Sequence, residues 1–279
     1  MIRDTNNILT GGKKPILFDC FYTKTLQPKP IVIYCHGYKG FKDWGAWDLV
    51  AEAFANAGFF FVKFNFSHNG GTMAQAIDFP DLESFAQNNY STELEDVDRI
   101  ISHLMTTEKY LAETDKDVIS LIGHSRGGGI ALIKAEEDPR ISKVITWAGV
   151  SDYRSRFKEE SDGFKDWEKS GRFYVKNGRT KQKMPHNWQF YTDFLSNEAR
   201  LTISRAAKSL HKPWLIIHGN ADTSVPIEEG EALHRWSTQS SFEIIKGANH
   251  VFGTSHPWEL NTLPEHLEKV LEKSILFLE

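Results

Sequence analysis

The sequence predicts an α/β protein with a mostly parallel, doubly wound sheet and helices on both of its faces. Short β-branched and aromatic segments alternate along the chain with longer amphipathic segments, which is the pattern of β-α-β units. Right-handed crossovers between parallel strands place the intervening helices against the two faces of the sheet. The length of 279 residues fits one large domain of this kind with room for an insertion.

The strands are predicted from short runs rich in Val, Ile, Phe and Tyr, and the helices from the longer segments between them. A strand near the amino terminus, at residues 16–22, is expected to join the sheet antiparallel at one edge. The other strands are predicted at residues 31–35, 59–65, 118–122, 143–148, 214–218 and 242–245. The helices are predicted at residues 44–57, 92–111, 128–137, 226–237 and 263–278.

One segment, residues 151–197, interrupts this pattern with charged and aromatic residues. Within it, residues 172–180 place an Asn-Gly step between β-prone flanks, which predicts a β-hairpin. Its Phe, Tyr and Trp content favours an ordered lid over a disordered loop. We therefore expect a core domain formed by residues 1–150 and 198–279, with the lid inserted between them.

Residues 121–129 read Leu-Ile-Gly-His-Ser-Arg-Gly-Gly-Gly and contain the pattern G-x-S-x-G. A predicted strand precedes the pattern and a predicted helix follows it. In a nucleophile elbow, the serine lies on a sharp strand-to-helix turn that exposes its hydroxyl at the carboxyl edge of the sheet. Ser125 is therefore a candidate nucleophile. The alternative is that the glycines serve a tight turn and the serine is incidental.

Serine becomes a good nucleophile when a histidine accepts its proton and a carboxylate orients that histidine. In elbow-type proteins the acid and the base follow the serine in that order, each on a loop after a later strand. Asp222 lies after the strand at 214–218, and His250 lies after the strand at 242–245. Ser125, Asp222 and His250 thus form a candidate catalytic triad.

Each partner has an alternative. Asp222 could instead cap the helix that begins near Pro226, since Asp commonly caps helices. Asp152 competes as the acid because it follows the strand that ends near residue 148. His256 competes with His250 as the base, but it precedes a proline and lies further from the strand.

These motifs make the chain resemble α/β-hydrolase fold proteins, in the branch of small serine esterases that includes the cinnamoyl or feruloyl esterase-like and the dienelactone hydrolase or prolyl oligopeptidase-like enzymes. The resemblance extends from residue 31 to residue 277. It depends on four motifs in order: Cys35-His36-Gly37-Tyr38, Gly123-His124-Ser125-Arg126-Gly127, Gly219-Asn220-Ala221-Asp222-Thr223-Ser224-Val225-Pro226 and Asn249-His250.

The resemblance implies a soluble ester hydrolase that forms an acyl-enzyme on Ser125 and needs no cofactor. It also implies an oxyanion hole formed by the backbone N–H groups of Tyr38 and Arg126, since charge develops on the substrate carbonyl oxygen during attack. An acyl thioesterase or a small acyl-peptidase would use the same groups. A noncatalytic binding module on the same scaffold is a further alternative.

The sequence specifies the substrate contacts less closely than the candidate triad. Residues 151–195 carry ten Lys or Arg and seven Asp or Glu, so the predicted lid is basic. A solvated charged face would explain this excess of basic residues. A binding site for an anionic group of the substrate would explain it as well. We expect His36 and His124 to be packed or hydrogen-bonded structural residues rather than catalytic bases. The candidate substrate-binding residues are Gly37, His124, Arg179, Lys181 and Trp188.

Composition excludes several classes of partner. A net charge of −4 gives no general attraction to nucleic acid, and no stretch approaches the roughly 18 apolar residues of a membrane span. With no secretory-type apolar segment at the amino terminus, we expect a cytoplasmic protein whose partner is a small-molecule ester.

Cys20 and Cys35 lie in apolar segments and are expected as buried free thiols. The histidines lack zinc-site spacing, so we expect no metal. The oligomeric state is not predicted.

Overall fold

The computed structural model describes residues 1–279 and contains one eight-stranded sheet and one separate hairpin. The strands are, in chain order, β1 (Ile2–Leu9), β2 (Ile16–Tyr22), β3 (Lys29–Cys35), β4 (Phe60–Phe64), β5 (Thr114–His124), β6 (Ile141–Trp147), β7 (Arg172–Lys176), β8 (Lys183–Asn187), β9 (Trp214–Gly219) and β10 (Ser240–Ile245). The order in the sheet is β1-β2-β4-β3-β5-β6-β9-β10. The pairs β1–β2 and β2–β4 are antiparallel, and all other neighbours are parallel.

Ten helices accompany the sheet, and most of them pack on its two faces. They are α1 (Trp47–Asn56), α2 (Leu82–Ala86), α3 (Tyr90–Thr106), α4 (Arg126–Glu137), α5 (Asp162–Ser170), α6 (Gln189–Ser196), α7 (Glu198–Leu201), α8 (Ile203–Ser209), α9 (Ile227–Trp236) and α10 (Glu265–Leu278). The predicted helices correspond to α1, α3, α4, α9 and α10. The α/β class, the doubly wound sheet and the α/β-hydrolase fold are therefore confirmed.

Alternation along the strands divides the interior into two cores. In β3, Ile31 and Ile33 face one core and Val32 and Tyr34 face the other, because successive side chains of a strand point to opposite faces. The first core includes the buried faces of α3, α4, α8 and α9, and the second those of α1 and α10. Burial on both faces explains why the central strands read as nearly continuous apolar runs.

The prediction that residues 16–22 form the edge strand was wrong. β2 has the predicted bounds and is antiparallel, but β1 pairs with its outer side and forms the edge. β1 could not be predicted from an apolar run, because this edge strand is mostly polar and largely exposed. Polar side chains are expected at a sheet edge, where they oppose pairing with another chain.

The hairpin predicted in residues 172–180 is present, but its loop is longer than a two-residue turn. β7 and β8 pair antiparallel from Arg172 with Asn187 to Lys176 with Lys183, and residues 177–182 connect them. The Asn177 side chain accepts the backbone N–H of Arg179 at 3.0 Å, so the Asn-Gly step begins the loop rather than closing it. The division of the chain into a core and a lid stays a prediction.

Both cysteines, Cys20 and Cys35, are buried and free, as the sequence analysis predicts. Desolvation raises the pKa of each thiol well above its usual value, which favours the unreactive protonated form. Among the helices, none combines the length and the apolarity that crossing a bilayer requires.

Candidate active site

The serine of the G-x-S-x-G pattern lies on a sharp turn between β5 and α4. Ser125 has φ 56° and ψ −120°, a conformation that costs a residue with a side chain about 1–3 kcal/mol. Its side chain makes no capping hydrogen bond to α4, and the residue lines a cavity at the carboxyl edge of the sheet. The backbone is therefore strained at the residue that presents a free hydroxyl.

The glycines of the pattern are required by close packing. A Cβ atom on Gly123 would lie 2.2 Å from the carbonyl oxygen of Gly127, and one on Gly127 would lie 2.4 Å from that of Cys35. Both contacts are with backbone, which cannot move aside cheaply. The turn after β3 is thereby held directly against the elbow.

Asp222 and His250 come together beside this turn from the loops after β9 and β10. His250 Nδ1 and Asp222 Oδ2 are 2.7 Å apart. The second oxygen, Asp222 Oδ1, accepts the backbone N–H groups of Ser224 at 2.8 Å and Val225 at 2.9 Å. The Asp222 side chain is fully buried, whereas that of His250 is 20% exposed. The imidazole therefore connects a buried carboxylate to the cavity.

The surroundings of Asp222 favour its charged form. Burial alone would raise the pKa of this carboxyl, but the nearby His218, whose Nε2 lies 3.6 Å from Oδ2, and hydrogen bonds from His250 and the Val225 amide hold the pKa well below its usual value. A charged Asp222 accepts the Nδ1 proton of His250, which leaves Nε2 free to accept a proton. Asp222 does not cap α9, because that helix begins after Pro226 and has no side-chain cap.

The competing acid and base lie elsewhere. Asp152 Oδ1 accepts the backbone N–H of Arg154 at 2.9 Å and so stabilises a local turn. His256 Nδ1 accepts the backbone N–H of Gly45 at 2.9 Å. Neither residue lines the cavities beside Ser125. Among the candidates, only His250 combines a carboxylate partner with a position on the cavity wall.

The turn after β3 contains the predicted oxyanion-hole donor Tyr38. A Cβ atom on Gly37 would lie 3.0 Å from Ser125 Cβ, so this turn is in close contact with the elbow. Arg126 is the first residue of α4, and the N–H groups of a first helical turn have no partner within the helix. Tyr38 and Arg126 line the same cavity as Ser125.

Two histidines support these loops. His36 Nε2 accepts the Phe66 amide at 3.2 Å, so its Nδ1 must carry the proton and donate to Gly37 O at 2.9 Å. His124 Nε2 lies 2.8 Å from the carbonyl oxygen of His250. Burial lowers the pKa of His36 to about 4 and that of His124 to about 3, so both are neutral near pH 7.

Two cavities meet at Ser125 and His250. The larger has a volume of about 620 Å³, and its lid-segment wall includes Phe157, Phe164 and Trp167. The smaller has a volume of about 230 Å³ and is lined by residues that include Gly37, His124 and Arg179. The serine and the histidine are thus accessible from both sides.

The other predicted binding residues differ in position. Arg179 forms an ion pair with Asp78 at the smaller cavity. Lys181 and Trp188 line neither cavity: the Lys181 ammonium donates to Gly178 O, and Trp188 packs in the aromatic cluster of residues 157–194. Lys181 and Trp188 are therefore not proposed as substrate contacts.

Sequence reasoning missed several groups around the side chain of Arg126. Its guanidinium carbon lies 4.3 Å from the ring centre of Tyr38, 5.3 Å from that of Tyr90 and 5.2 Å from that of Phe190. The Tyr38 hydroxyl is 2.7 Å from Nε2 of His186 in β8. These residues are far apart in the sequence and follow no motif, so only the fold reveals their proximity.

Comparison with known proteins places the chain among hydrolases. The model of the prolyl oligopeptidase family matches residues 46–273. A search of curated proteins finds no match.

Solved structures share the fold over nearly their whole length. Est1E from Butyrivibrio proteoclasticus with bound ferulic acid has a TM-score of 0.73 at 17% identity, covering 98% of this chain and 97% of that one. A putative hydrolase from Agrobacterium vitis has a TM-score of 0.72 at 17% identity, covering 98% and 97%. A putative dienelactone hydrolase from Klebsiella pneumoniae has a TM-score of 0.62 at 16% identity, covering 99% and 98%. At these identities the likeness establishes the fold.

Proposed function

Since the chain belongs to the prolyl oligopeptidase family, we propose that it is a serine hydrolase that cleaves carboxylic esters of small to medium acyl groups. The observation that carries this proposal is the 2.7 Å hydrogen bond between His250 Nδ1 and Asp222 Oδ2 on a cavity shared with Ser125. The three groups together supply a nucleophile, a base and an orienting carboxylate.

In the proposed reaction, Ser125 Oγ attacks the ester carbonyl carbon while His250 Nε2 takes the serine proton. The tetrahedral intermediate expels the alcohol, which receives that proton, and the acyl group stays on Ser125. Water then attacks the acyl-enzyme while His250 takes its proton, and His250 returns that proton to Ser125 Oγ as the acid product leaves. Asp222 keeps the imidazole in the required tautomer and stabilises its charged form.

We assign the oxyanion hole to the backbone N–H groups of Tyr38 and Arg126. Their location beside Ser125 supports this assignment, as does the position of Arg126 at the first turn of α4, whose dipole favours an anion. Donors aimed at the developing charge are worth about 3–4 kcal/mol each in enzymes of this kind.

Residues 151–197 are proposed as a lid that shapes the substrate site. Aromatic residues of this segment form a wall of the larger cavity, and a flat acyl group such as the ferulic acid bound by Est1E would fit such a wall. One side of the ester would occupy the larger cavity and the other side the smaller one, with the carbonyl at Ser125.

Membership of a family named for a peptidase favours one second candidate, an acyl-peptidase that uses the same triad. A panel of 4-nitrophenyl esters, acyl thioesters and aminoacyl anilides separates the two functions. We expect the highest kcat/KM on an ester. Preference for an anilide would replace the ester assignment with the peptidase, and absence of turnover across the panel would contradict both.

A further inference from the structure

The larger cavity beside Ser125 has an unusual charge for this molecule. Four basic residues line it, and no carboxylate does, although the whole chain has a net charge of −4. The basic residues are Lys39, Arg126, Arg156 and Lys158. They differ in how far the protein already neutralises them.

Arg126 directly follows the candidate nucleophile in the sequence and lines the same cavity. Its only acceptor is Glu93 Oε1, at 3.4 Å from one terminal nitrogen, which is a long contact for a charge-assisted hydrogen bond. The other N–H groups of the guanidinium donate to no protein atom, and the side chain is 14% exposed. Because Arg126 lines the cavity, these donors are available to a bound molecule.

Lys39 adds a second cation on the wall of the same cavity. Its ammonium lies 5.1 Å from the ring centre of Tyr38, the ring that Arg126 also contacts at 4.3 Å. No carboxylate forms an ion pair with Lys39. Burial lowers the pKa of Lys39, and the positive charge of Arg126 lowers it further, so the two cations repel each other. An anion bound in this cavity near both cations would relieve this repulsion.

The other two basic residues contribute less. Arg156 pairs with Glu229 and also donates to the Asp152 carbonyl oxygen, so its charge is largely neutralised. Lys158 forms no ion pair and is exposed, where water screens its charge. Arg126 and Lys39 therefore define the anion-binding part of the cavity.

We propose that the preferred substrate is an ester that carries a carboxylate in the group that occupies the larger cavity, bound by the side chains of Arg126 and Lys39. A planar guanidinium binds a carboxylate through two parallel hydrogen bonds, and an ammonium adds a second charge. This inference rests on the proposed function, because it names the substrate of the same site.

Two pairs of esters test the inference. In one pair the acyl group carries the charge: 4-nitrophenyl hydrogen glutarate is compared with its methyl-capped diester. In the other the leaving group carries it: 4-acetoxybenzoic acid is compared with its methyl ester. We expect the charged member of one pair to have a kcat/KM about tenfold or more above that of the capped member.

Variants connect that preference to the named residues. Lys39→Met and Arg126→Met should each lower the ratio of charged to capped kcat/KM by about fivefold or more, whereas Lys39→Arg should retain most of it. Lys176→Met is the matched control, because Lys176 is exposed on β7 and does not line the cavity. If Arg126→Met fails to fold, the Lys39 variants still decide the question.

The outcomes separate this inference from the proposed function. Turnover of the capped esters without a preference for the charged member of either pair would overturn the inference and leave the esterase in place. A preference that persists in both methionine variants would also overturn it. No turnover of any of the four esters would contradict the proposed function itself.

Discussion

Ser125 has a backbone conformation that few residues with a side chain adopt, and its neighbours hold it there. Gly123 and Gly127 let β5, α4 and the turn after β3 approach at distances that a Cβ atom would prevent. Strain of this kind is common where function requires one group to be presented in a fixed geometry. The packing thus explains why glycines flank the serine.

The carboxylate of Asp222 provides the first test at the scale of single residues. Asp222→Asn should lower kcat by about 10³-fold to 10⁴-fold, because a neutral amide favours the wrong tautomer of His250 and does not stabilise its charged form. Steady-state hydrolysis of 4-nitrophenyl butyrate measures the loss.

Asp152→Asn is the matched control for this experiment. Asp152 caps a local turn and contacts neither His250 nor the cavities. The activity of the Asp152→Asn variant should therefore stay within about threefold of wild type. A large loss in Asp152→Asn together with an active Asp222→Asn would reverse the assignment of the acid.

Much of the candidate site could be predicted because its residues follow strands in a fixed order. Asp222 and His250 were located from the strands that precede them. The surroundings of Arg126 could not be predicted in this way, since Tyr90 comes from α3 and His186 from β8, and their meeting depends on tertiary packing. Lys181 and Trp188 were candidate substrate contacts because of the basic and aromatic composition of their segment, but the tertiary packing places neither of them on a cavity wall.

At the scale of elements, the hairpin of β7 and β8 is held by ion pairs of Arg172 with Glu83 and of Arg179 with Asp78, and by hydrogen bonds at His186. The Tyr38 hydroxyl meets Nε2 of His186, and the indole N–H of Trp167 donates to the His186 carbonyl oxygen at 3.0 Å. Trp167 is buried in the aromatic cluster beneath the hairpin. The Trp167 hydrogen bond thus connects α5 to β8.

Trp167→Phe should loosen the hairpin while preserving most of the apolar packing. Losing one hydrogen bond costs about 1 kcal/mol, which corresponds to about fivefold faster tryptic cleavage at the exposed Arg179 and Lys181 of the loop at residues 177–182. Limited proteolysis followed by mass spectrometry measures that rate.

Trp188→Phe serves as the comparison. The ring centres of Trp188 and Trp167 are 5.1 Å apart, and the Trp188 indole N–H donates to no protein group. We expect its cleavage rate to match that of wild type. Equal acceleration in both variants would indicate that ring packing, rather than the hydrogen bond to β8, holds the hairpin.

The elements themselves were predictable where periodicity was strong. Buried central strands such as β3 and β9 read as continuous apolar runs, and long amphipathic helices such as α3 show their period clearly. β1 and α2 were missed because one is a polar edge strand and the other has only five residues. In such elements, contacts with neighbours decide the structure more than local sequence does.

For the whole molecule, buried histidines set the response to acid. Burial lowers the pKa values of His36 and His68 to about 4 and those of His124 and His186 to about 3. An unfolded chain binds these protons at a pKa of about 6.5. Below about pH 6.5 the unfolded state therefore binds more protons than the folded state, and stability falls as the pH falls toward 4.

We expect the free energy of unfolding to be about 7 kcal/mol lower at pH 5 than at pH 7. Each of the four histidines contributes about 2 kcal/mol to this loss. Asp96 opposes it by about 1 kcal/mol, because burial raises its pKa to about 6 and it takes up a proton in the folded state. Urea denaturation at pH 5, 6 and 7 measures the slope.

His186→Gln should reduce this pH dependence by about 2 kcal/mol, whereas His211→Gln should not change it, because His211 is exposed. Equal stability of the wild-type protein at pH 5 and pH 7 would contradict the neutral state assigned to the buried histidines.

The central claim is that Ser125 is a nucleophile activated by His250. The most direct measurement is reaction of the native protein with a fluorophosphonate, followed by digestion and mass spectrometry of the labelled peptide. The account predicts one adduct on Ser125, which is absent from Ser125→Ala and forms much more slowly in His250→Gln. A folded wild-type protein without an adduct, or an adduct on another residue, would contradict it.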